Sequence, residues 1–327
     1  MSDVFRAVAG APLTQHSPPI AVQAPLRVVL LVNPVAGMRR VPLEPIEAAL
    51  RARGTAVEVA FTTRPGDATT IARQAAAAGA DVLLTCGGDG TVNEAVNGLA
   101  RSQTALAVLP GGTVNVWARE VGIPLDPMRA LQLLWEGQRR WIDLGQAGER
   151  YFLLMAGIGF DADVAAQVTY SEKRRWGALA YIGRGVGTAL RWPRQRMRIQ
   201  LDGRVLRRHA LFLVVGNTRL YGGVVNITQH AVADDGLLDV CMFDADGPWE
   251  KLAHLLRIIT RRHTSAPSVE YYRARRVTVV TRPRVPVQVD GETIGQTPMT
   301  FQAVPQALKV VVPPGAGGGL FLLPPLE

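Results

Sequence analysis

Cysteine is nearly absent from this sequence of 327 residues, which holds only Cys86 and Cys241. Both lie in apolar runs without CxxC spacing, which argues against a disulfide framework and a zinc site. No apolar run approaches ~18 residues, the length that a transmembrane helix needs. Residues 1–25 lack the basic-then-apolar order of a signal peptide. We therefore expect a flexible leader over residues 1–25 and a cytoplasmic protein.

Two common nucleotide-binding signatures are also missing. The sequence has no Walker A motif, and it has neither the HRD nor the DFG motif of protein kinases. Gly157–Ala162 does match the G-x-G-x-x-A pattern of dinucleotide-binding folds. The residues after it, however, contain no second strand that ends in an acid, and the surrounding chain is rich in strands. A Rossmann dinucleotide site is therefore disfavoured.

The charge is strongly one-sided. The net charge is +9, and arginine far outnumbers lysine. Such a surface favours anionic partners, namely a nucleotide, a nucleic acid or an acidic membrane. Residues Ser171–Arg198 interleave basic and aromatic side chains. That pattern suits an interfacial segment on anionic lipid or a nucleic-acid surface, and a solvated helix with a few core aromatics explains it as well.

Strand-like and helix-like segments alternate through the first part of the chain. Short apolar runs predict strands at Leu26–Asn33, Ala56–Thr62, Asp81–Cys86 and Ala105–Leu109, and helices follow at Pro42–Arg53, Ala68–Ala78, Val92–Ala100 and Pro127–Gly137. This alternation predicts a doubly wound α/β nucleotide domain over residues 26–139. In such sheets, ligands bind at the carboxyl ends of the strands.

From about Arg140 the pattern changes to short alternating strands separated by turn residues. The predicted strands are Arg140–Leu144, Tyr151–Ala156, Met197–Leu201, Val205–Gly216, Leu237–Phe243, Arg276–Thr281, Val285–Val289, Met299–Gln302 and Leu308–Val312, with a helix at Trp249–Arg262. The spacing predicts a β-sandwich-like domain over residues 140–312, with a cleft between the two domains. Residues 313–327 contain an apolar patch and are expected to pack back on the body.

The stretch Cys86–Glu94, CGGDGTVNE, joins the third strand to a helix. Glycine lets the backbone approach a phosphate, and a helix N-terminus offers free N–H groups. Asp89 is placed to reach a magnesium ion or a ligand hydroxyl, although a tight turn capped by Asp89 explains the same pattern. A second glycine turn, Pro110–Thr113, follows the fourth strand. With Asn33 and Thr62 after the first two strands, four loops converge at one edge of the sheet.

Two acidic segments in the second half have both a structural and a chemical interpretation. Asp234–Asp239, DDGLLD, is typical of a turn that enters a strand, and Asp290–Glu292, DGE, is typical of a hairpin turn. Phosphoryl transfer to an alcohol, however, benefits from a carboxylate that accepts the hydroxyl proton. The histidines are scattered without metal-ligand spacing, and we assign them no role.

Seven segments in order resemble the diacylglycerol kinase catalytic family, which includes bacterial lipid kinases and sphingosine kinases. They are NPVAG, TTRPGDA, GGDGTVNE, LPGGTVNVWAREVGIP, GIGFDA, DDGLLDV and VDGE, and they run from about Leu26 to Val312. The resemblance implies an enzyme that uses ATP and Mg²⁺ to phosphorylate a hydroxyl of a lipid such as diacylglycerol. It also implies that the second domain holds the lipid chain.

The resemblance places the family's nucleotide contacts on Thr62, the loop 88–94 and Thr113. Together with the other strand-end residues, the predicted ATP-binding set is Asn33, Thr62, Gly87, Gly88, Asp89, Gly90, Thr91, Val92, Asn93, Glu94, Gly112 and Thr113. One departure stands out, because many members have Asn-Asp-Phe where this chain has Asn-Val-Trp. Because Val116 takes the place of that acid, this chain lacks a carboxylate near the cleft.

The resemblance also assigns roles to four acidic positions. Glu292 would be the general base that takes the hydroxyl proton, with Asp290 assisting or orienting it. Asp89 would help to hold the metal–phosphate assembly. A structural magnesium ion would be held by the Asp235 carboxylate with the backbone carbonyls of Val232 and Leu237, since oxygen ligands suit magnesium.

The expected partners are a lipid substrate and an anionic membrane that the protein contacts peripherally, whereas no nucleic acid is expected and a homodimer is left open. Rival functions are a related kinase of a sphingoid lipid, a ceramide or NAD, and a non-catalytic regulator that binds lipid or nucleotide. The GIGFDA and DDGL segments favour a lipid acceptor. The intact Asp89 and Glu292 favour catalysis.

Overall fold

The computed structural model describes residues 25–35, 42–159, 192–223, 225–260 and 262–326. Parts of four predicted features therefore lie outside the described residues. They are residues 1–24 of the leader, the Ala36–Gly37 part of the NPVAG segment, the Phe160–Ala162 part of the GIGFDA segment, and the Ser171–Arg191 part of the basic aromatic stretch.

The first part of the chain is an α/β domain with a parallel sheet. Its strands are β1 (Arg27–Val32), β2 (Ala56–Phe61), β3 (Val82–Gly87) and β4 (Ala105–Pro110), and its helices are α1 (Leu43–Ala52), α2 (Asp67–Ala77), α3 (Asp89–Leu99), α4 (Val116–Val121) and α5 (Pro127–Glu136). The strands lie in the spatial order β2-β1-β3-β4. Every residue of β3 and β4 is buried, which is why both strands read as continuous apolar runs. The predicted α/β domain is confirmed.

The second part is rich in strands. They are β5 (Gln138–Ala147), β6 (Arg150–Phe152), β7 (Met155–Gly159), β8 (Gln195–Leu201), β9 (Arg204–Ala210), β10 (Phe212–Gly216), β11 (Leu220–Tyr221), β12 (Val225–Asn226), β13 (Leu238–Phe243), β14 (Val269–Ala274), β15 (Arg276–Arg282), β16 (Pro286–Val289), β17 (Glu292–Gln296) and β18 (Met299–Val312), with the helix α6 (Pro248–Ile259) and a 3₁₀ turn at His263–Ser265. Among the described residues, β14-β13-β10-β7-β16-β17 form a six-stranded sheet.

A second hydrophobic core lies between this sheet and the strands β18, β15 and β8. Ile158, Leu213 and Val287 come from the six-stranded sheet, and Val277 and Phe301 come from the facing strands. Two layers of strands around one core are the arrangement of a sandwich. The predicted β-sandwich-like domain is therefore confirmed.

The long strand β18 joins the two parts into one sheet. Its Lys309–Val310 segment pairs in parallel with β4, and its Met299–Gln302 segment pairs antiparallel with β15. Strand β5 runs along β18 with a register shift between Val304 and Leu308. We predicted two separate strands here. Pro305 lies inside the shift, and because proline cannot donate to a sheet ladder, the sequence reads as a break where the structure has a bulge.

Two further predicted strands are each divided between two sheets. The run 205–216 becomes β9, in the sheet that contains β18, and β10, in the six-stranded sheet. The run 151–156 is divided in the same way between β6 and β7. An apolar run carries no signal for the residue at which the chain crosses the core.

Helix α3 begins at Asp89, three positions before the predicted start at Val92.

The C-terminal residues contact the strand-rich second part of the molecule. Leu320 is fully buried, and the N–H groups of Leu322 and Leu323 donate to the carboxylate of Asp234 at 2.8 and 2.9 Å. Arg140 of β5 donates to the carbonyl of Leu323.

Both cysteine thiols are buried. Cys86 lies in β3 and Cys241 in β13, and neither forms a disulfide. Burial raises the pKa of the Cys86 thiol to about 11, and it raises the pKa of Cys241 as well. Neither thiol is a nucleophile near neutral pH.

Helices α2 and α3 pack closely at Gly98, and this contact gives a first prediction. A Cβ at Gly98 would lie 2.4 Å from the Thr69 carbonyl oxygen, whereas a Cβ at Gly90 of the same helix would meet nothing within 4 Å. We expect Gly98→Ala to lower the free energy of unfolding by about 1–3 kcal/mol through overpacking. Gly90→Ala should leave it unchanged or raise it by up to about 1 kcal/mol. Chemical denaturation without nucleotide measures both, and equal effects would contradict the packing argument.

Candidate active site

Polar side chains meet at the carboxyl ends of β1, β2 and β3. The Asn33 N–H donates to the Cys86 carbonyl at 3.0 Å, and the Asn33 side-chain amide donates to Thr91 Oγ1 at 2.9 Å. The Thr62 N–H donates to the Val32 carbonyl at 2.9 Å. The structure therefore brings Asn33, Thr62 and Thr91 to one edge of the sheet, as the strand order required.

The two glycine turns are in backbone contact with each other. The Gly111 N–H donates to the Gly87 carbonyl at 2.9 Å. A Cβ on Gly112 would lie 2.5 Å from the Cα of Gly88, which no side chain tolerates. Close backbone approach is thus sufficient reason for glycine at both positions. The first turn of α3 begins directly after the first of these glycine turns, at the strand ends. Its N–H groups have no intrahelical partners.

Asp89 fastens the second glycine turn to the first. Its carboxylate accepts the Asn115 N–H at 3.0 Å and the Val116 N–H at 2.6 Å. Asn115 has a left-handed φ of 55°, and its side chain in turn brackets Gly112 at 2.8 and 2.9 Å. Burial raises the pKa of Asp89. Val116 thus contributes its backbone N–H to this contact, and the role of Asp89 toward metal and phosphate stays a prediction.

Glu94 links α3 to α2. Its Oε2 accepts the N–H groups of Gly66 and Ala68 at 2.9 and 3.2 Å, at the start of α2. Its backbone carbonyl accepts from the Thr69 hydroxyl at 2.9 Å. A carboxylate at a helix N-terminus satisfies unpaired N–H groups and complements the helix dipole. Glu94 holds two helices together, and its predicted contact with nucleotide remains a prediction.

Arg150 of β6 bridges the two parts of the site. Its guanidinium donates to Asn93 Oδ1 at 3.2 Å and forms an ion pair with the carboxylate of Glu292. Asn93 is buried, and its side-chain N–H group has no partner among the described residues. The Glu292 side chain is 44% exposed. Helix α3, which follows the glycine-rich loop, is therefore connected to the DGE hairpin through Arg150. We did not predict this residue.

A second connection runs beside Arg150. The Asn97 side chain of α3 donates to the Tyr151 carbonyl at 3.0 Å and accepts the Tyr151 N–H at 2.9 Å. This pairing fixes β6 against α3. Neither Arg150 nor Asn97 belongs to a recognisable motif, and only their place in the fold marks them.

Asp290 combines the turn and the chemical interpretations of the DGE segment. It has a φ of 47° and Gly291 has a φ of 84°, as a tight hairpin turn requires. Its carboxylate accepts the N–H groups of Leu153, Leu154 and Met155 at 2.8 to 2.9 Å. Burial raises the pKa of Asp290 to about 6, and the negative charge of Asp89 also raises it. Asp290, which lies two residues before Glu292 in the chain, therefore holds the loop 153–155 in place.

The predicted magnesium site has a different arrangement. Asp235 Oδ1 accepts the Leu237 N–H at 3.0 Å, and Oδ2 forms an ion pair with Arg273. The part of the chain that the structure describes has no cluster of three or more His, Cys, Asp or Glu residues able to hold a metal. As arranged, these residues do not suit magnesium, because the ion would have to replace Arg273. The ligand set Val232, Asp235 and Leu237 stays a prediction, and no step below uses it.

Two family models match the chain. The diacylglycerol kinase catalytic domain matches residues 27–147, and the YegS C-terminal NAD kinase beta sandwich-like domain matches residues 155–312. The chain belongs to the diacylglycerol kinase catalytic-domain family. The family assignment and the lipid-kinase function that we predicted are thereby confirmed.

Individual relatives agree with this membership. The chain is 31% identical to a diacylglycerol kinase of Staphylococcus aureus (strain bovine RF122 / ET3-1) over 88% of its own length and 92% of the relative. It is 30% identical to a diacylglycerol kinase of Staphylococcus saprophyticus over 88% and 95%. A solved structure of a diacylglycerol kinase from Bacillus anthracis str. Sterne superposes with a TM-score of 0.75 at 26% identity, covering 89% of this chain and 98% of that one.

Among the described helices, none combines the length and the apolar character that a bilayer crossing needs.

The raised pKa of Asp290 predicts how stability depends on pH. Its ordinary value is 3.8 and its folded value about 6, so between these values the folded protein binds the proton more tightly than the unfolded chain. The contribution of Asp290 to the free energy of unfolding therefore falls as pH rises from 4 to 7. Between pH 4 and pH 7, the free energy of unfolding of wild type should fall by about 1–3 kcal/mol relative to that of Asp290→Asn. Urea denaturation of both proteins at pH 4 and pH 7 measures this, and a difference that is independent of pH would contradict it.

Proposed function

We propose that this lipid kinase transfers the γ-phosphate of ATP to a hydroxyl group of a lipid such as diacylglycerol, with Glu292 as general base. One observation carries the proposal. Arg150 contacts both Glu292 and Asn93, so a half-exposed carboxylate lies beside α3, the helix that follows the first glycine turn. The base for the lipid hydroxyl and the binding site for the phosphates of ATP are then adjacent, as phosphoryl transfer needs.

The phosphates of ATP would lie at the start of α3. The helix N-terminus presents N–H groups and the positive end of its dipole, and the contacting glycine turns allow close approach. Asn33, Thr62, Thr91 and Thr113 would supply hydroxyl and amide groups around the nucleotide. Magnesium bound with ATP would shield the negative charge of the phosphates. The described residues around α3 offer it no cluster of carboxylates.

The chemical step follows from the position of Glu292. Its carboxylate accepts the proton of the lipid hydroxyl while that oxygen attacks the γ-phosphorus, and the bond to the bridging oxygen breaks so that ADP leaves. Arg150 would hold the carboxylate in position through their ion pair, and its positive charge would stabilise the phosphoryl group in transit. Asp290 supports this arrangement from behind through the loop 153–155.

The acceptor is proposed from the relatives, which are named diacylglycerol kinases. A diacylglycerol remains in the bilayer, so the enzyme has to contact the membrane surface while it works. We therefore keep the peripheral membrane contact in the proposal. Sphingosine, ceramide and NAD belong in the assay as competing acceptors, because shared loops do not set acceptor choice.

The general-base role predicts a specific loss of activity. Glu292→Gln should lower kcat by 100-fold or more on the acceptor that wild type uses, as removal of a general base does, with the KM for ATP nearly unchanged. Glu47→Gln is the matched control, because Glu47 also forms an exposed ion pair, with Arg51 on α1. Radiolabelled phosphate transfer in mixed micelles measures both variants. Full activity of Glu292→Gln would show that another group is the base. Labelling of NAD without labelling of any lipid would contradict the proposal of a lipid acceptor.

Arg150 gives a further prediction because it acts through Glu292. Arg150→Met should lower kcat by roughly 10- to 100-fold, since both the carboxylate position and the positive charge are lost. Arg150→Lys should recover part of that loss, because a lysine restores the charge without the fork geometry. Thermal unfolding of the three proteins separates this role from simple stability. Equal kcat values for the Met and Lys variants would exclude a role for the charge.

A further inference from the structure

Helix α6 presents an apolar face to solvent. Trp249 is 81% exposed, Leu252 38% and Leu256 57%. Their spacing of three and then four residues puts the side chains on one face of the helix, over about 10 Å of its length. Single exposed apolar residues are ordinary, whereas an aligned set that begins with tryptophan marks a contact surface.

The opposite face of α6 is anchored to the body. His254 and Ile258 are buried there. The His254 ring bonds to the Asp244 carbonyl at 2.7 Å and meets the Phe243 ring edge-on at 5.7 Å. The Lys251 ammonium group donates to the Trp192 carbonyl at 2.8 Å. Because the helix is held from behind, its apolar face is a fixed surface.

The C-terminal end of α6 and the residues just after it place positive charge beside this face. Arg257 and Arg262 line a shallow pocket of about 390 Å³ beside Leu256. Neither arginine forms an ion pair with a carboxylate in the part of the chain that the structure describes. A guanidinium pair at a pocket suits a phosphate or another anionic group.

We propose that α6 docks this protein on an anionic bilayer. Trp249, Leu252 and Leu256 enter the interfacial layer, and Arg257 and Arg262 bind lipid phosphates. The chemistry is that of an interfacial helix, with apolar and aromatic groups on one side, basic groups beside them and a cationic protein behind. This proposal rests on the proposed function, which requires access to a lipid in a membrane.

Vesicle binding tests the proposal. Wild type should bind phosphatidylglycerol–phosphatidylcholine vesicles better than phosphatidylcholine vesicles. The triple variant Trp249→Ala, Leu252→Ala, Leu256→Ala should bind the anionic vesicles at least tenfold more weakly. Arg257→Gln with Arg262→Gln should reduce the preference for anionic lipid severalfold, because the remaining positive charge of the protein still contributes. The matched control is Leu322→Ala with Leu323→Ala, two leucines of the tail that are 69% and 40% exposed, and it should bind as wild type does.

Kinase assays separate this proposal from the proposed function. With a short-chain, water-soluble diacylglycerol, the α6 triple variant should keep wild-type activity, whereas on vesicles its activity should fall in step with binding. If wild type phosphorylates no lipid in either assay, the proposed function fails while the vesicle result still decides the role of α6.

Three results would overturn the docking role. One is that wild type does not bind anionic vesicles, and another is that the triple variant binds them as wild type does. The third is that equilibrium sedimentation shows a wild-type dimer that the triple variant converts to a monomer, which would assign the α6 face to self-association.

Discussion

Hydrogen bonding along β18 is the constraint on which the arrangement of the site depends. The strand pairs with β4 of the α/β domain at one end and with β15 of the sandwich at the other. The hairpin that carries Glu292 immediately precedes it in the chain. Because one strand pairs with both domains, the position of that hairpin relative to the glycine turns is set by backbone pairing rather than by a flexible linker.

Acidic residues of the motifs serve largely as acceptors for backbone N–H groups. Asp89 holds the turn at 115–116, Glu94 holds the start of α2, and Asp290 holds the loop 153–155. Each of these carboxylates satisfies two or three backbone donors at once, so removing any one of them leaves those N–H groups without their partner and is costly. Glu292 is different, because its partner is a side chain and 44% of its side chain stays exposed.

The fold class and the meeting of strand ends could be predicted from the sequence, because buried parallel strands such as β3 and β4 appear as unbroken apolar runs. The continuity of β18 could not be predicted, because Pro305 resembles a break. Arg150 could not be found either, since a single arginine after a turn has no distinguishing pattern. The DGE segment was ambiguous between a turn and a catalytic element, and the structure places a hairpin turn and an exposed carboxylate in the same three residues.

The burial of both native thiols has a practical consequence. Cys86 and Cys241 are the only cysteines of the chain, both are buried, and both have raised pKa values. Thiol-directed reagents attack thiolates that they can reach. A spin label or fluorophore attached to one new surface cysteine would therefore report from that position alone, without first replacing a native residue. The wild-type background is already suited to distance and depth measurements on this fold.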